Sequence, residues 1–218
     1  MPVHTDHMPT AFPTTIVFGG TFDPPHRAHV LLPQEVMQAF GASEVLYVPA
    51  AIPPLKRTAP ATSAAHRLAM LRLALAAFPE SRITTEELDR AKDEQPSYTV
   101  DTLEALHTRD SARTWRLLIG TDQMHQFEQW RSWQRIAELA EPLVMLRAPL
   151  TRTAALAPLP SDAQRHIWAQ RLVEVTPMEI SSTTVRARLT RGDSVASMLD
   201  PEVEAYVRAN GLYGVKRA

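Results

Sequence analysis

The chain has 218 residues, 44% of them hydrophobic and 22% charged, a make-up that suits a globular protein and excludes wholesale disorder. A formal net charge of −1 offers no general attraction to nucleic acid or to an anionic membrane, so any anion site must be local. No apolar run reaches the ~20 residues that span a bilayer, and the lack of cysteine excludes disulfides, thiol nucleophiles and thiolate zinc sites.

The opening MPVHTDHMPTAFP lacks a charged segment followed by an apolar one. Residues 1–13 are therefore expected to be a frayed tail and not a signal peptide, with the cytoplasm as default location. TTIVF (Thr14 to Phe18) and EVLYVP (Glu44 to Pro49) are runs of strand length, each stopped by Gly or Pro. Between them, HVLLPQEVMQAF sets Val30, Leu31, Val36, Met37 and Phe40 near one helical face, and Gly41 follows as a C-cap. That is a βαβ unit. Ser63 is placed to cap a helix over residues 63–78, and RITTEEL follows as a strand or its end. YTVDTLEALHTR is helical, TWRLLIG is a buried strand ending in glycine, IAELA is helical and PLVMLR is a strand. RAPLTRTAALAPLPSDAQ, rich in Pro and Ala, reads as a connection leaving the sheet. After it come a short strand, a Ser/Thr cluster and a helix closed by Gly192, then a last helix from Pro201 to Asn210 that stops at Gly211.

Continuous apolar strands separated by helices imply a parallel sheet covered on both faces. The right-handed crossover rule then favours an α/β, doubly wound (Rossmann-like) fold with a small helical C-terminal portion. Residues 14–218 are expected to form one domain, its helical part over about 180–213. Ligands in such folds bind outside the carboxyl ends of the strands. Three stretches fall there: Gly19 to His29, Ala50 to Lys56, and Gly120 to Asp122.

IVFGGTFDPPHRAHV (Ile16 to Val30) carries the densest chemistry. Gly19 and Gly20 directly after a strand let backbone N–H groups approach a ligand, and the following helix N-terminus favours an anion. Neither Gly-x-Gly-x-x-Gly nor a Walker A loop occurs in the chain. His26 and His29, three apart at a helix start, face one side. Three readings stand: a capping pair, donors to a phosphate, or metal ligands. The strand-to-helix turn shifts weight toward phosphate, and no third ligand lies nearby for a metal.

GGTFDPPHRAH (Gly19 to His29) resembles the signature of the nucleotidyltransferase superfamily that transfers adenylyl groups. Within it the chain is similar to the bacterial nicotinate-nucleotide adenylyltransferase family. PAAIPPLK (Pro49 to Lys56), PSYTVDTL (Pro96 to Leu103), LIGTDQ (Leu118 to Gln123), FEQWRSW (Phe127 to Trp133) and ISSTTVRARL (Ile180 to Leu189) match that family's blocks in order and spacing, over about residues 15–213. The resemblance implies transfer of AMP from ATP to nicotinate mononucleotide, giving deamido-NAD and pyrophosphate, with Mg²⁺ bridging phosphate oxygens. His26, His29, Lys56 and Arg186 are then the catalytic cations and donors. Gly19, Gly20, Thr21, Phe22, Gly120, Asp122, Ile180, Ser181, Ser182 and Thr183 bind ATP, while Thr99, Trp130 and Arg131 bind the mononucleotide. No protein metal cage is implied. The partners are the two small substrates, without nucleic acid or membrane, and the chain is expected as a monomer or small homo-oligomer.

Read without the resemblance, bland alternatives stay open: Asp122 and the Ser181 to Thr184 cluster as helix caps, Trp130 as a core or interface ring, and Arg186 as a solvated charge. Three positions depart from the family's pattern. Ala28 stands where glycine is usual, Leu55 where a histidine commonly precedes the basic residue, and Arg131 where tyrosine is frequent. Alanine suits helical φ/ψ, so activity is expected to survive Ala28. Arg131 either pairs with the nicotinate carboxylate or points into solvent. The alternatives in function are a related enzyme acting on nicotinamide mononucleotide or phosphopantetheine, and a non-catalytic nucleotide-binding regulator. PSYTVDTL and FEQWRSW argue against phosphopantetheine, and retention of the whole cation set argues against the regulator.

Overall fold

The structure, a computed structural model, describes residues 13–51, 60–90 and 97–216. Six strands form one wholly parallel sheet: β1 (Thr14–Gly20), β2 (Glu44–Pro49), β3 (Ser81–Ile83), β4 (Thr114–Gly120), β5 (Glu141–Leu146) and β6 (Leu172–Glu174). Their order is β3-β2-β1-β4-β5-β6. From β1 the chain builds one way to β2 and β3, then returns to lay β4 on β1's other edge, so the topological switch point lies between β1 and β4. The doubly wound parallel sheet expected from the sequence is the fold observed.

Alternate residues of each strand enter opposite layers, as the two-residue period of a strand requires. Ile16, Phe18, Tyr47, Leu118, Leu143 and Met145 pack beneath α1 (Arg27–Ala39), α2 (Ala64–Leu75), α9 (Ser182–Arg191) and α10 (Pro201–Ala209). Val17, Leu46, Val48, Leu117, Ile119, Val144 and Leu146 pack beneath α4 (Thr99–Arg109), α6 (Trp133–Leu139) and α8 (Asp162–Ala169). The short helices α3 (Glu86–Arg90), α5 (Thr121–Met124) and α7 (Arg152–Leu156) sit in the connections.

Local signals acted as read at most ends. Ser63 Oγ accepts from the His66 N–H, Ser181 Oγ accepts from the Thr184 N–H, and Gly41, Gly192 and Gly211 close their helices at φ +58°, +77° and +62°. The segment read as a connection, 147–164, instead holds α7 and the start of α8. Thr151 and Ser161 cap these helices, and Pro149, Pro158 and Pro160 lie at their boundaries, so prolines that suggested an open loop mark helix ends. RITTEEL likewise divides: β3 ends at Ile83 and α3 begins at Glu86.

Leu71 of α2 is fully buried in the first layer. Leu71→Ala should lower unfolding free energy by about 3 kcal/mol in urea titrations, as cavity-forming Leu→Ala changes do, with the slope against denaturant unchanged.

Candidate active site

The carboxyl ends of the strands open onto a cleft of roughly 1110 Å³. Every sequence-predicted site residue among the described ones lines it: Gly19, Gly20, Thr21, Phe22, His26, His29, Thr99, Gly120, Asp122, Trp130, Arg131, Ile180, Ser181, Ser182, Thr183 and Arg186. Lys56, with Leu55 beside it, lies outside the described residues.

His26 is the N-cap of α1 and His29 the third residue of the helix. The His26 N–H donates to His29 Nδ1 at 3.3 Å, and the two rings stack with centroids 3.6 Å apart and 14° between planes. The capping reading thus holds locally, yet it also orients the ring. An imidazole whose Nδ1 accepts carries its proton on Nε2. Burial, reinforced by the charge of Arg147, lowers the His26 pKa from 6.5 to about 4, so the ring is neutral at pH 7. Its buried Nδ1 has no hydrogen-bond partner. Among the described residues no cluster of three His, Asp or Glu is placed to hold a metal.

The loop that carries this pair is fastened on several sides. Phe22 is buried at φ +51°, a conformation that costs energy for a side chain of this size, with its ring edge-on to His29 at 5.2 Å. A Cβ on Gly20 would lie 2.9 Å from that ring, so this glycine makes room for Phe22. Arg67, 1% exposed on α2, donates from Nη1 to the Thr21 carbonyl at 2.7 Å. Asp23, 3% exposed, accepts at Oδ2 from the N–H groups of Ala61 and Thr62, and at Oδ1 from the hydroxyls of Thr62 and Tyr213. Burial pushes the Tyr213 hydroxyl far above its ordinary pKa, so it stays a donor.

Opposite this loop stands the start of α9. Arg186 donates from Nη1 to the Asp23 carbonyl at 2.7 Å and from Nη2 to Thr183 Oγ1 at 3.3 Å, while Ser182 donates to the Pro24 carbonyl at 2.9 Å. Ser181 both caps α9 and lines the cleft. Asp122 is no cap: Gly120 takes that position for α5, and a Cβ there would lie 2.6 Å from Asp122 Oδ1. Ala28 packs in the core cluster and is not among the cleft-lining residues, so its methyl adds bulk away from the cleft.

At the far end, Trp130 is half-buried with its ring 5.6 Å from Phe127, and its buried indole N–H has no partner. Arg131 lies over the Tyr98 ring at 4.6 Å and 3.8 Å from Asp101, so it is neither free in solvent nor tightly paired. Among the lining residues to which the sequence reading gave no role are Arg147, Glu87 and Ser97. Arg147 immediately follows β5, and the carboxyl-end rule applied to that strand would have found it. Glu87 carries no motif, and Ser97 lies inside the PSYTVDTL block but was given no role, because the buried hydrogen bonds to which each is committed are visible only in the fold. Thr102 Oγ1 donates to Glu87 at 3.3 Å, Ser97 Oγ donates to the Glu87 carbonyl at 3.1 Å, and burial raises the Glu87 pKa to about 7.

Neutral and cationic donors thus converge with two helix starts across the switch point of a doubly wound sheet, and this α/β arrangement is chemically suited to an anionic ligand. More specifically, the chain belongs to the cytidylyltransferase-like family, whose profile matches residues 17–188. It is 35% identical over 215 residues to a probable nicotinate-nucleotide adenylyltransferase of Acidithiobacillus ferrooxidans, covering 91% of this chain and 94% of that protein. It is 38% identical over 201 residues to the probable nicotinate-nucleotide adenylyltransferase of Bordetella petrii, covering 90% and 97%. In fold it matches the Plasmodium falciparum nicotinic acid mononucleotide adenylyltransferase complexed with NaAD, with a TM-score of 0.72 at 16% identity, over 94% of this chain and 98% of that one.

His26 and Glu87 give opposite pH dependences of stability. The unfolded chain charges its histidine near pH 6.5 while the folded one resists to about 4, so His26 stability is complete above 6.5 and lost as pH falls toward 4. Glu87 holds its proton to about pH 7 when folded, against 4.5 unfolded, so its contribution is complete below 4.5 and lost as pH rises through 7. Denaturation between pH 4.5 and 8 should show His26→Gln removing the first slope. Glu87→Gln should stabilise the protein at pH 8, where the buried carboxylate is charged, and have little effect at pH 4.5.

Proposed function

We propose that the chain transfers the adenylyl group of ATP to nicotinate mononucleotide, forming nicotinate adenine dinucleotide and pyrophosphate. One observation carries the reading: a single cleft joins the His26–His29 pair and the Arg186 edge of α9 to an aromatic end with Thr99 and Trp130. One end suits a polyphosphate and the other a planar ring, and the relatives named for this reaction match over nine-tenths of the chain.

A phosphate oxygen of the mononucleotide attacks the α-phosphorus of ATP, and the bond to the oxygen bridging α and β breaks. Pyrophosphate leaves with the electron pair. The attacking phosphate is already ionised, so no general base or covalent intermediate is needed, and the protein's task is alignment and charge stabilisation. His26 and His29 serve as N–H donors to the ATP phosphates, with Lys56 adding positive charge. Arg186 and the α9 start, through Ser181, Ser182 and Thr183, hold the β- and γ-phosphates. Gly19, Gly20, Thr21, Phe22, Gly120 and Ile180 border the nucleotide, and Asp122 accepts from its ribose hydroxyls. Thr99 and Arg131 meet the nicotinate carboxylate while Trp130 stacks on the ring. Mg²⁺, when bound with ATP, would supply charge neutralisation at the phosphates, and such an ion does not require a carboxylate cage from the protein. Asp23, the acidic residue of the signature loop, fits that view, since its side-chain oxygens are already engaged by internal donors.

Turnover should be far faster on nicotinate than on nicotinamide mononucleotide with ATP and Mg²⁺, because the amide leaves cationic donors unpaired. Equal rates would sink the nicotinate assignment. His29→Ala should depress kcat by about a hundredfold, the scale of losing one positioned donor to developing charge. A rise in KM alone would show that the imidazole acts only in ground-state binding.

A further inference from the structure

Tyr213 belongs to a short 3-10 turn (Leu212–Gly214) near the C-terminal end of the described residues, in sequence remote from every cleft-lining segment. Its backbone sits at φ +56°, ψ +31°, a left-handed conformation that a tyrosine adopts only when its surroundings impose it. That turn is held from both sides. Thr190 of α9 donates its hydroxyl to the Tyr213 carbonyl at 3.0 Å, and the Tyr213 hydroxyl donates to Asp23 Oδ1 at 2.6 Å. Thr62 donates to the same oxygen at 2.7 Å.

The other end of Asp23 connects this contact to the cleft. The Asp23 carbonyl is the acceptor for Arg186 Nη1 at 2.7 Å, so the loop backbone is the shelf against which the guanidinium rests. Arg186 and the two imidazoles line one cleft, and a change in the tilt of that peptide changes which way the guanidinium's remaining N–H groups face. A buried carboxyl that loses one donor at Oδ1 must find another by rotating or shifting, and its own backbone shifts with it. We propose that Tyr213 is a positioning residue for adenylyl transfer, acting through Asp23 to aim Arg186 at the phosphates. The C-terminal turn is then part of the catalytic apparatus without touching substrate.

This rests on the adenylyl-transfer reading, so the test includes a measurement independent of turnover. In the full-length protein, Tyr213→Phe should lower kcat about tenfold and leave the KM for nicotinate mononucleotide unchanged, as expected when alignment at the phosphate end is lost. Pyrophosphate affinity by calorimetry should fall about fivefold, whether or not the mononucleotide is the true acceptor. Thr62→Val, which removes the second Oδ1 donor from another element, should give the same signature, and it carries the test if Tyr213→Phe does not fold. In an Arg186→Gln background Tyr213→Phe should cost nothing further, because the pathway it acts through is gone. A lowered Tm with unchanged kcat and pyrophosphate affinity, or additive losses in the double variant, would overturn the role of Tyr213. A wild type that binds pyrophosphate but makes no dinucleotide overturns the reaction and leaves the pyrophosphate arm to decide the tyrosine.

Discussion

The arrangement depends on the switch point between β1 and β4. All six strands run parallel, so all their carboxyl ends lie at one edge, and the reversal of winding at β1 leaves a gap between connections that depart in opposite directions. Into that gap the sequence places the loop after β1, the loop after β4 and the residue after β5, none of them near each other in the chain. The core layers on both faces fix the strands, and the strands fix the loops. Helix α9 then closes the open side, since it packs in the same layer as α1 and brings Arg186 to the β1 loop.

In a protein of net charge −1, any anion site must be built from local means. The structure uses two different kinds of donor. Arg186, Arg131 and Arg147 bring formal charge to the cleft, whereas His26 is kept neutral by burial and by Arg147 itself. Neutrality has a use here. Two imidazoles stacked at 3.6 Å would repel if both were protonated, and a neutral ring still offers an N–H to a phosphate oxygen. Any anion bound beside His26 would oppose the push of Arg147 and so favour protonation of the imidazole.

Much of this was readable from the residues in order. The strands, the caps at Ser63 and Ser181 and the closing glycines each carried a local signal with a physical cause, and the carboxyl-end rule then pointed to the loops. The connection at 147–164 misled because prolines and alanines mark an irregular segment by composition, while Thr151 and Ser161 turn the same alanines into short capped helices. Site residues on a motif were readable; those defined only by burial were not. Glu87 and Arg67 look like surface charges in sequence, and only the packing of α3 and α2 against the loops makes them interior. Asp23 is visible in the signature as a turn residue, but its engagement by Tyr213, 190 positions away, is a property of the closed fold.

The loop after β1 is also held rigid without a glycine-rich cradle. A run of glycines lets backbone approach a ligand at the cost of an entropy loss on ordering. Here only Gly19 and Gly20 are present, and Gly20 is used to admit the Phe22 ring, leaving the loop with little conformational freedom of its own. Rigidity comes instead from Arg67 on the Thr21 carbonyl, Asp23 on Thr62 and Tyr213, Ser182 on the Pro24 carbonyl and Arg186 on the Asp23 carbonyl. From Thr21 to Pro24 every residue is thus tied by a side chain or by burial, and after Pro25 the chain reaches His26 at the helix start. A donor pair held this way needs little reordering when the ligand arrives, which is the condition under which electrostatic stabilisation is most effective. Phe22, at φ +51°, sits in the middle of these ties, and backbone in that region persists where the surroundings hold it.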